Sequence, residues 1–379
     1  MKEWTVLIYA NGNNELQPEM WQSKLSAQKV GSNKDVNVVM QLSQIDADLV
    51  RIIRPFHNYP DNAVGWVGTK RLFLMGGLSI VLQDLGNINM ADPAWLYDFI
   101  KWGMDNYPAK HYLLIVGGHS HQFIGALPDY SQDTPYIMGI PEMVQSINLA
   151  CKSSKGTIDL LILDVCSFNS LEVIYEFGKK PNHAIQNIIT YFNNGPLQGL
   201  PYDQITQTLR DNSSLNDLNH FIKLIIDKLE FDLIAINIDH DKLKIIKKSF
   251  HDLAACYLHC GKKPLNNLSE LVYNANYNDP WYEYSIGLQK KLADIILYDS
   301  NNYFFKSKLI HFANVPIKDR VCLDGYCRLS FAVNNYWTYL LSRETHFPSL
   351  YKASKIQLVP MNLTSVDVLT YIYIMNPSL

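Results

Sequence analysis

Along the first half of the chain, short and nearly continuous apolar runs alternate with stretches whose apolar positions fall three and four residues apart. Such runs are the mark of strands buried on both faces. Their alternation with helical spacing predicts parallel β-α-β units with helices covering a sheet on both sides. Trp4–Ala10 (WTVLIYA) reads as the first strand, Glu15–Val30 as a helix and Val36–Leu42 (VNVVMQL) as the second strand. Arg51–Arg54 and Lys70–Leu74 read as an antiparallel excursion, joined by a loop rich in Pro, Asn and Gly over Asn58–Gly68. Asp92-Pro93 predicts a helix start, with Asp as the cap and Pro at the first helical position, and Trp95, Phe99 and Trp102 continue at helical spacing. The third and fourth strands are His111–Val116 and Ile158–Leu163, and a helix follows the latter over Asn169–Phe177.

These last two strands end in residues that carry chemistry. One runs into Gly117-Gly118-His119-Ser120-His121 and the other into Asp164-Val165-Cys166. In open α/β sheets, ligands bind beyond the carboxyl ends of the strands, and one crossover between neighbouring parallel strands would bring both loops to the same sheet edge. Nucleophilic cysteine catalysis needs a thiol, an imidazole to handle its proton, and donors aimed at the oxyanion. His119 and Cys166 supply the first two, and the backbone N–H groups of Ser120 and Cys166 the third. On the residues alone a plainer account stands beside it: His119 is a loop residue and Cys166 a small buried apolar side chain, as most isolated cysteines are. His121, two positions on, is a rival for the base.

Beyond about residue 205 the pattern changes. Helices are predicted over Leu215–Leu229 and Lys242–Leu258 around a strand at Leu233–Ile238. Strands near Phe331–Val333 and Ile356–Leu358 and an apolar close at Leu369–Met375 then suggest a return to sheet. The expected division is a core over residues 1–205 and a C-terminal elaboration over residues 206–379 that packs on it, with a soft boundary.

Composition narrows the function classes. Hydrophobic residues make up 47% and charged residues 18% of the 379, which excludes a disordered chain. The formal net charge of −3 provides no field for nucleic acid or anionic lipid. No apolar run reaches the ~20 residues of a membrane span, and the N-terminus lacks an export-type apolar segment, so the expectation is a cytoplasmic protein without membrane or nucleic-acid partners. Six cysteines are too sparse for a disulfide scaffold. Cys256 and Cys260 with His259, and Cys322 with Cys327, lack the paired spacing of a zinc site, and no metal is predicted. Gly117-Gly118 belongs to no phosphate-binding loop, which leaves a nucleotide-binding doubly wound protein as a weak third reading.

Several segments, in order, resemble the clostripain family of cysteine peptidases, in the caspase-like clan: WTVLIYANGNNEL (4–16), GSNKDVNVVMQL (31–42), DLGNINMADPAWLYDFIKWGMDNYPAKHYLLIVGGH (84–119), IDLLILDVC (158–166) and GLPY (199–202). The resemblance implies a caspase-like α/β/α sandwich with a mostly parallel central sheet and an endopeptidase acting on peptides or proteins through a thioester acyl-enzyme. His119 would be the catalytic histidine and Cys166 the nucleophile. Asp164 would lie in the S1 pocket and favour Arg or Lys at P1; the plainer account of Asp164 is a cap or a binder of loop amides. No cofactor is implied. Some relatives use calcium, but no calcium loop is recognisable here. The chain departs from the family pattern at Ser120-His121-Gln122, where glycines are usual, and at Tyr191-Phe192-Asn193-Asn194, where relatives carry acidic residues. It also has no Lys or Arg from Ser120 to Cys151, where relatives cleave themselves after a basic residue, so a single-chain protein is expected. These departures motivate a second reading, a caspase-like scaffold without peptidase activity that acts by binding protein. No oligomeric state follows from the sequence.

Overall fold

A computed structural model of the chain describes residues 1–55, 65–121, 125–133, 136–166, 168–169, 171–191, 194–214, 217–249, 291 and 294–300. Five parallel strands form the centre of its main sheet: β1 (Lys2–Gly12), β2 (Val36–Gln44), β5 (Ala109–Gly117), β8 (Ile158–Asp164) and β9 (Ile185–Tyr191). Antiparallel pairs extend it at both edges, β3 (Gly68–Met75) with β4 (Leu78–Gly86) on one side and β10 (Leu233–Asn237) with β11 (Ile296–Asp299) on the other. The order is β11-β10-β9-β8-β5-β1-β2-β3-β4. A separate hairpin, β6 (Gly125–Asp129) and β7 (Tyr136–Gly139), sits between the crossover elements.

The side chains of β1 explain the layering. Successive residues point to opposite faces and those from Trp4 onward are buried, so Leu7 and Tyr9 enter one core while Val6, Ile8 and Ala10 enter the other. The first core is closed by α3 (Pro93–Asn106), α4 (Ile140–Ser154), α5 (Leu171–Gly178) and the helical residues 240–249. The second is closed by α1 (Gln17–Val30), α6 (Tyr202–Asp211) and α7 (Leu218–Leu229). This is the expected α/β/α sandwich. The helix start at Asp92-Pro93 is also observed: the Asp92 side chain accepts from the Ala94 N–H at 2.9 Å. No helix among the described residues is long and apolar enough to cross a membrane.

Three expectations need correcting or extending. Arg51–Arg54 is not a strand: residues 47–53 form the short helix α2 (Ala47–Ile53), capped by Asp46, which accepts from the Asp48 N–H. The hairpin partner of β3 is β4 instead, an edge strand whose Leu78, Ile80, Val81 and Leu82 are exposed and which therefore never reads as a buried run. The strand expected at Leu233–Ile238 is observed as β10, which joins the main sheet by pairing with β9. Cys256, His259, Cys260, Cys322 and Cys327 lie outside the described residues, as do the predicted strands at 331–333 and 356–358 and the apolar close at 369–375.

The chain lays β2 on one side of β1 and later β5 on the other. The carboxyl ends of β1 and β5 thus border the crevice where the winding reverses, which is where an open α/β sheet offers its binding site.

Candidate active site

Register brings the two chemistry-bearing loops together. β5 and β8 are neighbours, with Gly117 opposite Asp164, and two residues further along each strand stand His119 and Cys166. The loops are stitched by bonds that flank His119 on both sides: the Gly118 N–H donates to the Asp164 carbonyl at 3.3 Å, and the Ser120 hydroxyl donates to the Cys166 carbonyl. Gly118 adopts φ +150°, which favours glycine there. The hairpin β6–β7 supports the histidine loop from the far side, since Leu127 N–H donates to the His119 carbonyl and His121 N–H to the Gly125 carbonyl, each at 2.8 Å. Those ladder bonds leave the Ser120 N–H outside them.

His119, Cys166 and Asp164 line one cavity of about 210 Å³, walled by Leu16, Met20 and Tyr191. His121 is not among its lining residues, which separates the two histidines on geometry. Burial lowers the His121 pKa, His119 adds to that, and Glu15 opposes it.

The Cys166 thiol is half-buried. Burial pushes its pKa up, the N–H of Gly195 pulls it down, and the charge of Asp164 raises it again. The thiol's hydrogen-bond partner is thus a backbone amide rather than an imidazole, an arrangement that catalytic groups often tighten only when substrate is bound. Alkylation of Cys166 by iodoacetamide should therefore keep accelerating as pH rises above neutrality, and Asp164→Asn, which removes a raising charge, should speed it severalfold at a given pH. A rate already saturated at neutral pH would contradict the raised thiol. Cys151, in contrast, is sealed inside α4, where burial drives its thiol up to about 12.

Asp164 is 4% exposed. The Tyr191 hydroxyl donates to its Oδ1 at 2.6 Å, and the Leu200 N–H lies 3.2 and 3.1 Å from its two oxygens. This explains the Gly-Leu-Pro-Tyr element. Gly199 sits at φ +70°, where any Cβ would stand 2.7 Å from Asp164 Oδ2; Leu200 supplies a donor; and the Tyr202 phenol is buried beside the same carboxylate, its pKa driven far up by burial and then by that charge. Burial lifts the Asp164 pKa above the usual carboxylate range in spite of these contacts. Binding to a loop amide, the plainer account of Asp164, is thus real, yet the residue also lines the cavity.

Pattern reading missed Glu15, which stands in the loop between β1 and α1 with its Oε1 3.2 Å from His119 Nε2. The signal was present, since a polar Asn11-Gly12-Asn13-Asn14-Glu15 loop leaves the same sheet edge. It also missed Tyr191, the residue of β9 beyond the Leu163–Thr190 pair. Among the described residues, no group of three His, Cys, Asp or Glu side chains is arranged to hold a metal ion.

A family model described as the Clostripain family matches residues 74–344. Among solved structures, the chain is similar to a secreted C11 cysteine protease from Bacteroides thetaiotaomicron in complex with an irreversible peptide inhibitor. The TM-score is 0.55 at 13% identity, over 79% of this chain and 84% of that one. It is also similar to an inactive zymogen C11 protease from Parabacteroides distasonis, with a TM-score of 0.51 at 14% identity, over 79% and 83% of the two chains. No curated protein matches it. These likenesses carry the fold, and they lend nothing to the cytoplasmic expectation.

Proposed function

Because this chain belongs to the clostripain family of cysteine peptidases, we propose that it hydrolyses peptide bonds on the carboxyl side of Arg or Lys, with Cys166 as nucleophile and His119 as acid and base. The observation that supports this reading best is the shared cavity at the ends of β5 and β8, onto which Cys166, His119 and Asp164 all open. The Cys166 sulfur, having given its proton to His119, attacks the scissile carbonyl carbon. The N–H groups of Ser120 and Cys166 face the oxygen that becomes negative. His119 then protonates the leaving amine as the C–N bond breaks, and a thioester remains. Water, losing a proton to His119, attacks the thioester; the C–S bond breaks and the thiol is restored.

Asp164 confers the basic preference. A carboxylate offers about four lone-pair sites, and Tyr191 and Leu200 occupy only part of them, so an incoming guanidinium or ammonium adds a charge-assisted hydrogen bond. The test is a fluorogenic peptide library varied at P1, incubated with the purified chain. Cleavage confined to Arg and Lys supports the proposal, cleavage after other residues removes the specificity, and no cleavage with or without calcium removes the activity.

The missing basic residues between Ser120 and Cys151 make the intact chain the working form. Prolonged incubation of active enzyme should leave one band on a denaturing gel. Two stoichiometric fragments, absent from Cys166→Ala, would overturn this.

A further inference from the structure

We propose that Glu15 is a positioning residue for His119, a third member behind the nucleophile and base; this rests on the peptidase reading above. The carboxylate lies 3.2 Å from Nε2, which commits that nitrogen to Glu15 and leaves Nδ1 as the one that exchanges protons with Cys166. Nε2 and Glu15 Oε2 are both buried, and Tyr130 also reaches the carboxylate. The pair is thus held in ion-pair range inside the protein. Its attraction grows when the imidazole becomes an imidazolium during attack, so its benefit falls on turnover rather than on substrate affinity.

The surroundings hold Glu15 in place. Arg54 Nη1 donates to the Glu15 carbonyl at 2.5 Å while its guanidinium grips both oxygens of Glu19 at 3.1 Å. Asn14 accepts from the Leu16 N–H at 2.9 Å and donates to the Pro128 carbonyl at 2.8 Å, and Asn13 donates to Asp129 at 2.8 Å. The loop is pinned to the same β6 segment that supports the histidine loop. Facing the carboxylate are His119, His121, Tyr130 and the charge of Arg54. Burial works against ionisation of Glu15, but His119 and then Arg54 outweigh it and hold the carboxyl below its usual range. A second element with its own tertiary contacts therefore aims a carboxylate at the base. Such groups fix ring orientation and stabilise the imidazolium in other nucleophile–histidine sites.

The experiment compares wild type, Glu15→Ala, Glu15→Gln and Glu15→Asp by steady-state kinetics. The expected result is a kcat for Glu15→Ala lower by about ten- to a hundredfold, the worth of a charge-assisted contact, with KM within about twofold. Glu15→Asp, which keeps the charge, should recover more activity than Glu15→Gln. Wild-type kcat in Glu15→Ala, or a Glu15→Gln as active as wild type, would overturn the proposal. If Glu15→Ala does not fold, the near-isosteric Glu15→Gln decides alone. Iodoacetamide labelling of Cys166 at neutral pH needs no turnover and should be severalfold slower in Glu15→Gln; equal rates would overturn the role. A wild type that labels at Cys166 but cleaves no peptide would instead sink the peptidase reading, so the two failures are told apart.

Discussion

Cys166→Ala should abolish peptide hydrolysis and leave the thermal midpoint almost unchanged. Removing the nucleophile of a covalent mechanism costs on the order of a thousandfold to a millionfold in kcat, because no neighbouring group takes over its bond-forming role. The change is structurally mild: the thiol is half-buried, borders a cavity, and gives up one contact with a backbone amide. Cys151→Ala should do the reverse. That thiol is packed in the α4 core at 1% exposure, so its loss should lower stability by roughly 1–2 kcal/mol while turnover persists. Parallel kinetic and urea-denaturation measurements on the two variants separate chemistry from packing. Residual cleavage by Cys166→Ala above background would assign the nucleophile elsewhere.

Asp164→Asn should reduce kcat/KM for Arg and Lys substrates by about a hundredfold or more while hardly changing that for neutral P1 residues. The amide keeps the shape and an acceptor for Tyr191 but offers no charge to a cation. The preference should also depend on pH. It is present where the carboxyl is ionised and is lost as pH falls through its folded-state pKa, which burial places above the ordinary 3.8. In wild type the ratio of basic to neutral cleavage should therefore decline as pH falls through that pKa, and in Asp164→Asn it should be flat. A basic preference that survives the substitution would move the selecting charge to another residue.

How far the site was legible differed residue by residue. His119 and Cys166 stood out because each follows a strand so uniformly apolar that its end is unmistakable. The capped start of α3 was equally plain, since Asp-Pro acts through local backbone geometry. Glu15 and Tyr191 were not legible in the same way: their importance depends on which strands are neighbours and in what register, information held in long-range pairing. The Gly-Leu-Pro-Tyr element was visible as a motif, but its purpose appeared only once Gly199 and Leu200 were seen against the Asp164 carboxylate, which for Leu200 stands 36 positions earlier in the chain. β4 escaped because an exposed edge strand lacks the buried face from which strands are read.

The bonds from Gly118 to Asp164 and from Ser120 to Cys166 join the histidine and cysteine loops across the sheet and not along the chain. The chain path from β5 to β8 is then not what spaces the two strand ends, although β6, which lies on that path, still props the histidine loop through Leu127 and Gly125. The distance between the ends of β5 and β8 is thus set by sheet register, and a lesion in the crossover would reach the site through the β6 contacts and not through a stretched connection.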